Sequence, residues 1–409
     1  MSLRPSDIDL TDPDLFLRGV PHDAFAMLRR EAPVQWQFER GGRGFWSVTR
    51  HRDVVAANRD VEALSAGQLG IMMFDQPHLA EPDAPRMMIE MDPPRHTRYR
   101  LLVNKGFTPR MIGRLEEHMR AVTTRIVDRV VDAGHADFVV DVASELPLQV
   151  IAEMLGVPSE DRPLLFALSN RIMGFDDTEY GSPGGAPAED AIAEMYSYAS
   201  ALGTAKRADL EAGAQPGDIV SALLTAEVNG ERLSESEFDL FFLLLVVAGN
   251  ETTRTAIAQG MLALLQQRDQ WDMVCADPGV LSTGVDEILR WSTPILHFRR
   301  TAVRETEIGD QTIAADDKVV LWYVSANFDA DVFDDPLRLD MERAPNEHVT
   351  FGGGGPHFCL GANLARLEIR VLFEELASRL PGIEMAGPVE RLRSNWTNGI
   401  KRMPVRWTS

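Results

Sequence analysis

Cysteine is almost absent: Cys275 and Cys359 are the only two in 409 residues. Two thiols cannot staple a chain of this length, so a disulfide scaffold is excluded and a reducing compartment is expected. Positive charge is also in short supply, with 41 Lys and Arg against 62 Asp and Glu and a net charge of −21. Neutralising phosphates needs a basic face, so nucleic acid is excluded as a partner class. The opening Met-Ser-Leu-Arg-Pro-Ser-Asp is polar and carries no charged-then-apolar leader. The most apolar run, Leu240 to Gly249, is too short to cross a bilayer, so no membrane anchor and a cytoplasmic location are expected. Internal repeats and low-complexity tracts are missing as well.

Enough apolar material is present to bury a substantial core, since hydrophobic residues make up 44%. The periodicity predicts a mainly α fold with a small β-rich region, in one domain spanning residues 1–409. Alternating strands fall around Val34–Trp36 and Phe45–Val48, and β-rich parts are expected at roughly 30–65, 295–325 and 385–409. Between Leu64 and Met91 lies a long irregular loop, with Ile71, Met72, Met73, Phe74, Met87 and Met88 among its glycines and prolines. From Met111 to about Val228 the pattern is helical, broken at Gly134, Gly156 and Gly181–Pro187. One segment runs against the acidic balance. Between Arg95 and Arg110 stand Arg95, His96, Arg98, Arg100, Lys105 and Arg110 with no acid, a docking face for an acidic partner.

Four stretches carry chemistry. The first, Phe351-Gly-Gly-Gly-Gly-Pro-His357-Phe-Cys359-Leu-Gly361, leads into a helical pattern. Glycines let a backbone turn and approach a flat ligand, and a cysteine at a helix mouth gains thiolate character. A thiolate held this way suits ligation of haem iron. The second is a long helix over about Ser234–Gln267, centred on Val247-Ala248-Gly249-Asn250-Glu251-Thr252-Thr253. Buried acid and hydroxyl groups are costly unless partnered, and a threonine bonding one turn back can loosen the helix. The third is Glu287-Ile-Leu-Arg290, an acid and a guanidinium sharing a face. The fourth is a helix after Asp92-Pro-Pro, whose His96 and Arg100 are four apart and could clamp an anion.

These stretches, in this order, resemble the cytochrome P-450 superfamily, the haem-thiolate monooxygenases. The family's loop reads Phe-Gly-x-Gly-x-His/Arg-x-Cys-x-Gly, and Gly353, Gly355, His357, Cys359 and Gly361 occupy its slots. Phe351 stands one residue too far away. A loop lengthened in this manner resembles that of the actinobacterial sterol side-chain and methyl-branched lipid hydroxylases. The resemblance implies a cytochrome P-450 fold, haem b as cofactor and Cys359 as the metal ligand. It implies Glu251 and Thr252 as the acid–alcohol pair delivering protons for O–O cleavage. His96, Arg100 and Arg300 would bind the propionates, with Ala248, Gly249, His357 and Gly361 also against the cofactor. Glu287 and Arg290 would form a buried structural pair completed by Arg343 or His348. The helices of the middle region would form a mobile lid. The implied reaction inserts one oxygen atom from O2 into a C–H bond of a sterol, terpenoid or branched lipid. Electrons would come from ferredoxin and ferredoxin reductase, with NAD(P)H as the ultimate donor.

Pocket walls are expected from Ile71, Met72, Met87, Met88, Val247, Ala248, Ile295, Leu296 and Trp396, which are apolar and suit a lipophilic substrate. His297 is a further polar group near them. Two alternatives stay open on the residues alone: a haem-thiolate peroxygenase or isomerase using peroxide, and a non-catalytic helical binding protein with Cys359 merely buried.

Overall fold

A computed structural model describes residues 4–81, 84–104, 109–181, 186–213, 218–225, 227–228 and 231–408. The architecture turns on one helix, Glu235–Gln266, buried along most of its length. Its start is set by a capping box, in which Ser234 Oγ accepts from the Glu237 amide and Glu237 Oε2 accepts from the Ser234 amide. By length and composition it could cross a membrane, yet 72% of its most apolar window is buried inside the protein. It is a core helix, longer than the apolar run within it. Helices Glu145–Met154, Arg162–Met173, Ala186–Glu211, Leu281–Ser292 and Ala362–Arg379 pack around it. Gly249 has its reason in this packing. A β-carbon there would come within 3.0 Å of the Ile151 side chain, so its absence lets Glu145–Met154 lie close. The helix continues unbroken past Thr252 and Thr253, so the expected loosening opens no gap in it.

Strands fall within residues 30–65, 295–325 and 385–409, of which alternation marks only those near Val34 and Phe45. A five-stranded sheet runs Val34–Gln37, Phe45–Val48, Lys318–Trp322, His297–Ala302, Leu64–Ser65. Lys318–Trp322 pairs parallel with Phe45–Val48 and antiparallel with His297–Ala302, with Leu321 opposite Phe298 and Val319 opposite Arg300. Phe298 and Arg300 therefore share one face of the sheet, and His297 and Arg299 share the other. Short pairs at Glu384–Met385, Glu390–Arg391, Ile400–Arg402 and Pro404–Arg406 account for the C-terminal stretch. Strands at His135–Asp137, Glu227–Val228 and Glu231–Arg232 were not anticipated, being too short to show alternation.

The segment linking the sheet to the cysteine loop is pinned by charge. Glu287 and Arg290, both fully buried, meet through two hydrogen bonds, Nε to Oε2 at 2.8 Å and Nη2 to Oε1 at 2.7 Å. Arg343 Nε donates to Glu287 Oε2 at 3.0 Å, and the Asp340 amide donates to Oε1 at 3.0 Å. Arg290 Nη1 also reaches the Asn327 and Pro336 carbonyls, with its plane over Phe328 and Phe333. His348, the other residue considered for this cluster, contacts Asp286 at 3.2 Å instead. Burial alone would push the Glu287 carboxyl up; the hydrogen bonds and charge of its partners hold it below its ordinary value.

Removing one partner of a satisfied buried cluster strands a charge, so Arg290→Ala is expected to cost about 3–5 kcal/mol in denaturant unfolding. The depressed Glu287 carboxyl contributes stability present above its unfolded pKa and lost as pH falls through its folded value. Glu287→Gln should therefore flatten the acid limb of stability, and an acid limb like that of the wild type would contradict this account.

Candidate active site

Beneath the long helix lies a cavity of about 230 Å³. Its roof includes Leu244, Leu245, Ala248, Gly249, Thr252, Thr253 and Ala256 from the long helix. Its floor is the loop Phe351, Gly352, His357, Cys359, Leu360 and Gly361, followed by Leu364 and Ala365. Met88, Ile89, His96 and Arg100 close one side, and Asn58, Ile295, Phe298, Arg300 and Tyr323 close another.

Backbone conformation places the thiol. Gly352, Gly353, Gly354 and Gly355 all have positive φ, between +62° and +101°, which only glycine adopts four times running without strain. The turn folds the chain back so that the Cys359 amide donates to the Phe351 carbonyl at 3.0 Å. The extra residue is absorbed in this turn, and Phe351 still lines the cavity beside Cys359. Its ring also carries the Arg366 guanidinium at 4.6 Å. A β-carbon at Gly355 would stand 2.8 Å from the Asn58 carbonyl, so the loop is pressed against the helix His51–Arg59. At Gly361 a β-carbon would meet nothing within 4 Å, which leaves open space beside the sulfur.

The exposed surface of Cys359 faces the cavity. Burial pushes its thiol up; the Gly361 amide, Arg100 and Arg366 act the other way. Among the described residues these do not outweigh the desolvation, so the fuller counter-charge for a thiolate belongs to a bound metal. The sulfur precedes Gly361, the cap of helix Ala362–Arg379, by two residues.

Four bases converge around this floor, His357 from the loop itself and His96, Arg100 and Arg300 from its sides. The His96 and His357 rings lie 4.3 Å apart, and His96 Nδ1 and His357 Nε2 are buried without hydrogen-bond partners. Arg100 and Arg300 flank them. Burial, with help from Arg300, His96 and Arg100, drives His357 down to about 2, and burial and Arg100 lower His96. Asp92 acts on His96, but its oxygens are taken by Ser65, Ala66 and Gly67. Arg300 Nη2 donates to Asn58 Oδ1 at 3.1 Å and Nη1 to the Arg299 carbonyl at 2.8 Å. Unpartnered nitrogens and two guanidiniums around one void, with no carboxylate among its described lining residues, fit the carboxylates of a haem held at Cys359.

Overhead, Thr252 lines the cavity and its Oγ1 donates to the Ala248 carbonyl at 2.7 Å. Glu251 does not line it. Only 1% exposed, it points to another side of the helix and ion-pairs with Arg254.

Of the expected wall, Met88, Ala248 and Ile295 line the cavity. The others lie off it for separate reasons. Ile71 and Met72 sit where the loop runs along the strand, with the Arg299 amide donating to the Ile71 carbonyl at 2.9 Å. Met87 and Val247 pack into the main core, and Leu296 packs with Phe16, Phe25 and Trp322 on the far side of the sheet. Trp396 stands one layer behind the wall, its ring 6.4 Å from Phe298 and 6.3 Å from Phe175. His297 is on the opposite sheet face from Phe298, 4.6 Å from Trp322, and burial pushes it down to about 3, so it is neutral.

Sequence reading missed Asn58 and Tyr323, which hold each other through a 3.1 Å hydrogen bond from Tyr323 Oη to Asn58 Oδ1. No local pattern marks either. Phe298 was missed as well, although its alternation with Arg300 on one strand could have found it. Of the basic segment Arg95–Arg110, Lys105 lies outside the described residues; His96 is turned inward, while Arg95 is exposed.

Comparison with known proteins places this geometry. A family model described as Cytochrome P450 matches residues 279–380. The chain is 41% identical to a steroid C26-monooxygenase of Mycolicibacterium smegmatis, covering 99% of this chain and 94% of that protein. It is also 41% identical to a methyl-branched lipid omega-hydroxylase of Mycobacterium tuberculosis, over 98% and 95% of the two chains. A Mycobacterium marinum cytochrome P450 solved with pseudoionone superposes with a TM-score of 0.89 at 38% identity, over 100% of both chains. With identity of this order over its whole length, the chain belongs to the cytochrome P450 family of haem b-binding monooxygenases.

Proposed function

We propose that this monooxygenase hydroxylates the branched alkyl end of a sterol or a methyl-branched lipid, with Cys359 as the iron ligand. The observation that carries the reading is the division of one cavity: sulfur and four bases at and around its floor, and aliphatic and aromatic side chains over most of the rest. The haem, when bound, supplies the activation of O2, placing one atom into a C–H bond while the other leaves as water.

The chain's own residues do the remaining work. His96, Arg100, Arg300 and His357 hold the haem carboxylates, and Asn58 and Tyr323 fix Arg300 in place. Ala248 and Gly249 present a small-residue surface above the sulfur. Thr252 Oγ1 offers the only hydroxyl of the acid–alcohol pair that faces the cavity, and Glu251 supplies protons to it from behind. Met88, Ile89, Leu244, Ile295 and Phe298 exclude water from the reacting carbon and orient an apolar chain, which supports a lipophilic substrate over a polar one. The relatives named for steroid and methyl-branched lipid substrates support the same choice. Electrons are proposed to come singly from a ferredoxin and its reductase in the cytoplasm. The exposed Arg95, Leu101 and Phe358, on the cysteine side of the site, support docking of a small acidic protein there.

The substrate is tested by titrating the ferric protein with cholest-4-en-3-one, a methyl-branched fatty acid and small terpenoids while following the Soret band. A shift to shorter wavelength with the first two and none with terpenoids is the expected result; a response to terpenoids alone would overturn the lipid reading. Thr252→Ala should keep the binding shift but lower the fraction of consumed O2 recovered as product by about tenfold, the low end of what a positioned proton donor contributes. Arg300→Gln should release haem to apomyoglobin at least several-fold faster, since a charge-assisted hydrogen bond is worth roughly 1.5–3 kcal/mol. An unchanged release rate would remove Arg300 from the cradle.

A further inference from the structure

One side of the cavity is a partition between two voids. Met88 and Ile89 line the cavity, whereas Glu90 and Met91 line a second cleft of about 510 Å³. Exposed Ala80 and Arg95 stand at the rim of that cleft. Met88, Ile89 and Glu90 together make a single 3-10 turn, a conformation with poorer hydrogen-bond geometry than an α-helix. Met88 packs into the main core, but on the Glu90 side the turn faces the cleft. Packing therefore backs this wall on one side only, and its position needs a second anchor.

Arg86, also on the cleft, supplies the anchor. Its Nη2 donates to the Leu79 carbonyl at 2.6 Å and the Glu81 carbonyl at 3.0 Å, and its Nη1 donates to the Gly67 carbonyl. Gly67 is a fixed point. It follows strand Leu64–Ser65, and its amide donates to Ser65 Oγ at 3.0 Å and Asp92 Oδ2 at 3.3 Å. Three carbonyls from separate parts of an irregular loop thus meet on one guanidinium, just before the turn. The same charge acts on the turn itself. Glu90 Oε2 accepts from the Met87 amide at 3.1 Å; burial pushes this carboxyl up, and the Met87 amide and Arg86 act against it. We infer that Arg86 is a specificity-determining positioning residue: it fixes the Met88–Glu90 partition, and with it the wall that sets which carbon of the substrate reaches the reacting centre. Without it the partition is free to move toward the cleft, and C–H bonds next to the preferred one become accessible. A lysine keeps the charge but donates from one point, where the arginine fork reaches carbonyls from two nitrogens. The inference rests on the reading of the cavity as the site of a lipophilic substrate and adds what sets its shape.

The test uses the haem-loaded protein, with cholest-4-en-3-one as probe and electrons from a ferredoxin and its reductase. Wild type is compared with Arg86→Gln and Arg86→Lys. Three quantities are read: the ratio of hydroxylation at the end of the alkyl chain to hydroxylation elsewhere, the dissociation constant from Soret titration, and amide hydrogen exchange in residues 87–91. Arg86→Gln should lower the ratio several-fold. It should also weaken binding and speed the exchange by roughly tenfold each, the size expected of one charge-assisted hydrogen bond. Arg86→Lys should fall between wild type and Arg86→Gln on all three. The Soret band of the reduced carbon monoxide complex should not move in either variant, because Arg86 acts behind the wall and not at the sulfur.

A wild-type product ratio in Arg86→Gln would overturn the inference, even beside a lowered melting temperature, which is what an arginine serving stability alone would give. A changed ratio with wild-type exchange would place the effect outside the partition and overturn it as well. If wild type neither shifts with cholest-4-en-3-one nor hydroxylates it, the substrate reading has failed and the claim on specificity falls with it. Failure of the inference alone shows instead as a selective wild type beside an equally selective Arg86→Gln. Should Arg86→Gln not retain haem, Arg86→Lys decides, and a wild-type ratio and exchange there would sink the anchor.

Discussion

Four left-handed glycines, Gly352 to Gly355, are the constraint on which the cavity depends. Side chains would resist that conformation at each position, and at Gly355 a β-carbon would also drive into the Asn58 carbonyl. The pressed contact does two things. It turns the chain so that Phe351 and Cys359 meet across a backbone hydrogen bond, with the sulfur upward. It also locks the loop to the helix carrying Asn58, whose side chain accepts from both Arg300 and Tyr323. Floor, sheet and first helix are therefore one mechanical unit, and the position of the thiol is decided by backbone.

Charge is handled in two opposite ways within this chain. Around Glu287 each oxygen accepts and each guanidinium finds a carboxylate or carbonyl, so the cluster is closed and needs nothing from outside. Around His357 the reverse holds: bases gather without an acid, two ring nitrogens are left bare, and desolvation forces the histidines toward neutrality. Buried polar groups left open at this density cost stability unless something binds them. In a protein of net charge −21, two guanidiniums and two open imidazoles with no carboxylate among the described lining residues point to a ligand that carries negative charge itself.

The chemistry-bearing residues were legible because each lies in a short stretch with its own physical oddity: consecutive glycines around a cysteine, polar groups inside an apolar helix, an acid and guanidinium on one face. The helical stretches, the extent of the long helix and the strands near Val34 and Phe45 followed from periodicity, whereas the β-rich parts farther along came with the family resemblance. The walls were harder. Ile71 and Leu296 are apolar and close to the site, but Ile71 lies in a loop bonded along the strand, and Leu296 stands just before the strand and packs against Phe16 and Trp322. Within the strand, His297 and Arg299 face away from the cavity while Phe298 and Arg300 face it. Adjacency along a strand reverses the face, and only the pairing says which face is inside. Asn58 was invisible for a different reason, since its partners are more than two hundred residues away.

The proposed acid–alcohol pair shows the same limit on a helix. Adjacent positions there never share a face, so a motif written as two consecutive letters describes two environments. Thr252 has the cavity and a local back-bond to Ala248, which satisfies its hydroxyl without committing its lone pairs. Glu251 has burial and a single cation. A carboxylate in that position is held only as firmly as Arg254 is held, and Arg254 is held from another helix through Asn170. Moving a proton from one residue to the other thus requires a side-chain swing around the helix. What sets its cost is the packing of Arg162–Met173 over the long helix, outside the cavity where the chemistry occurs.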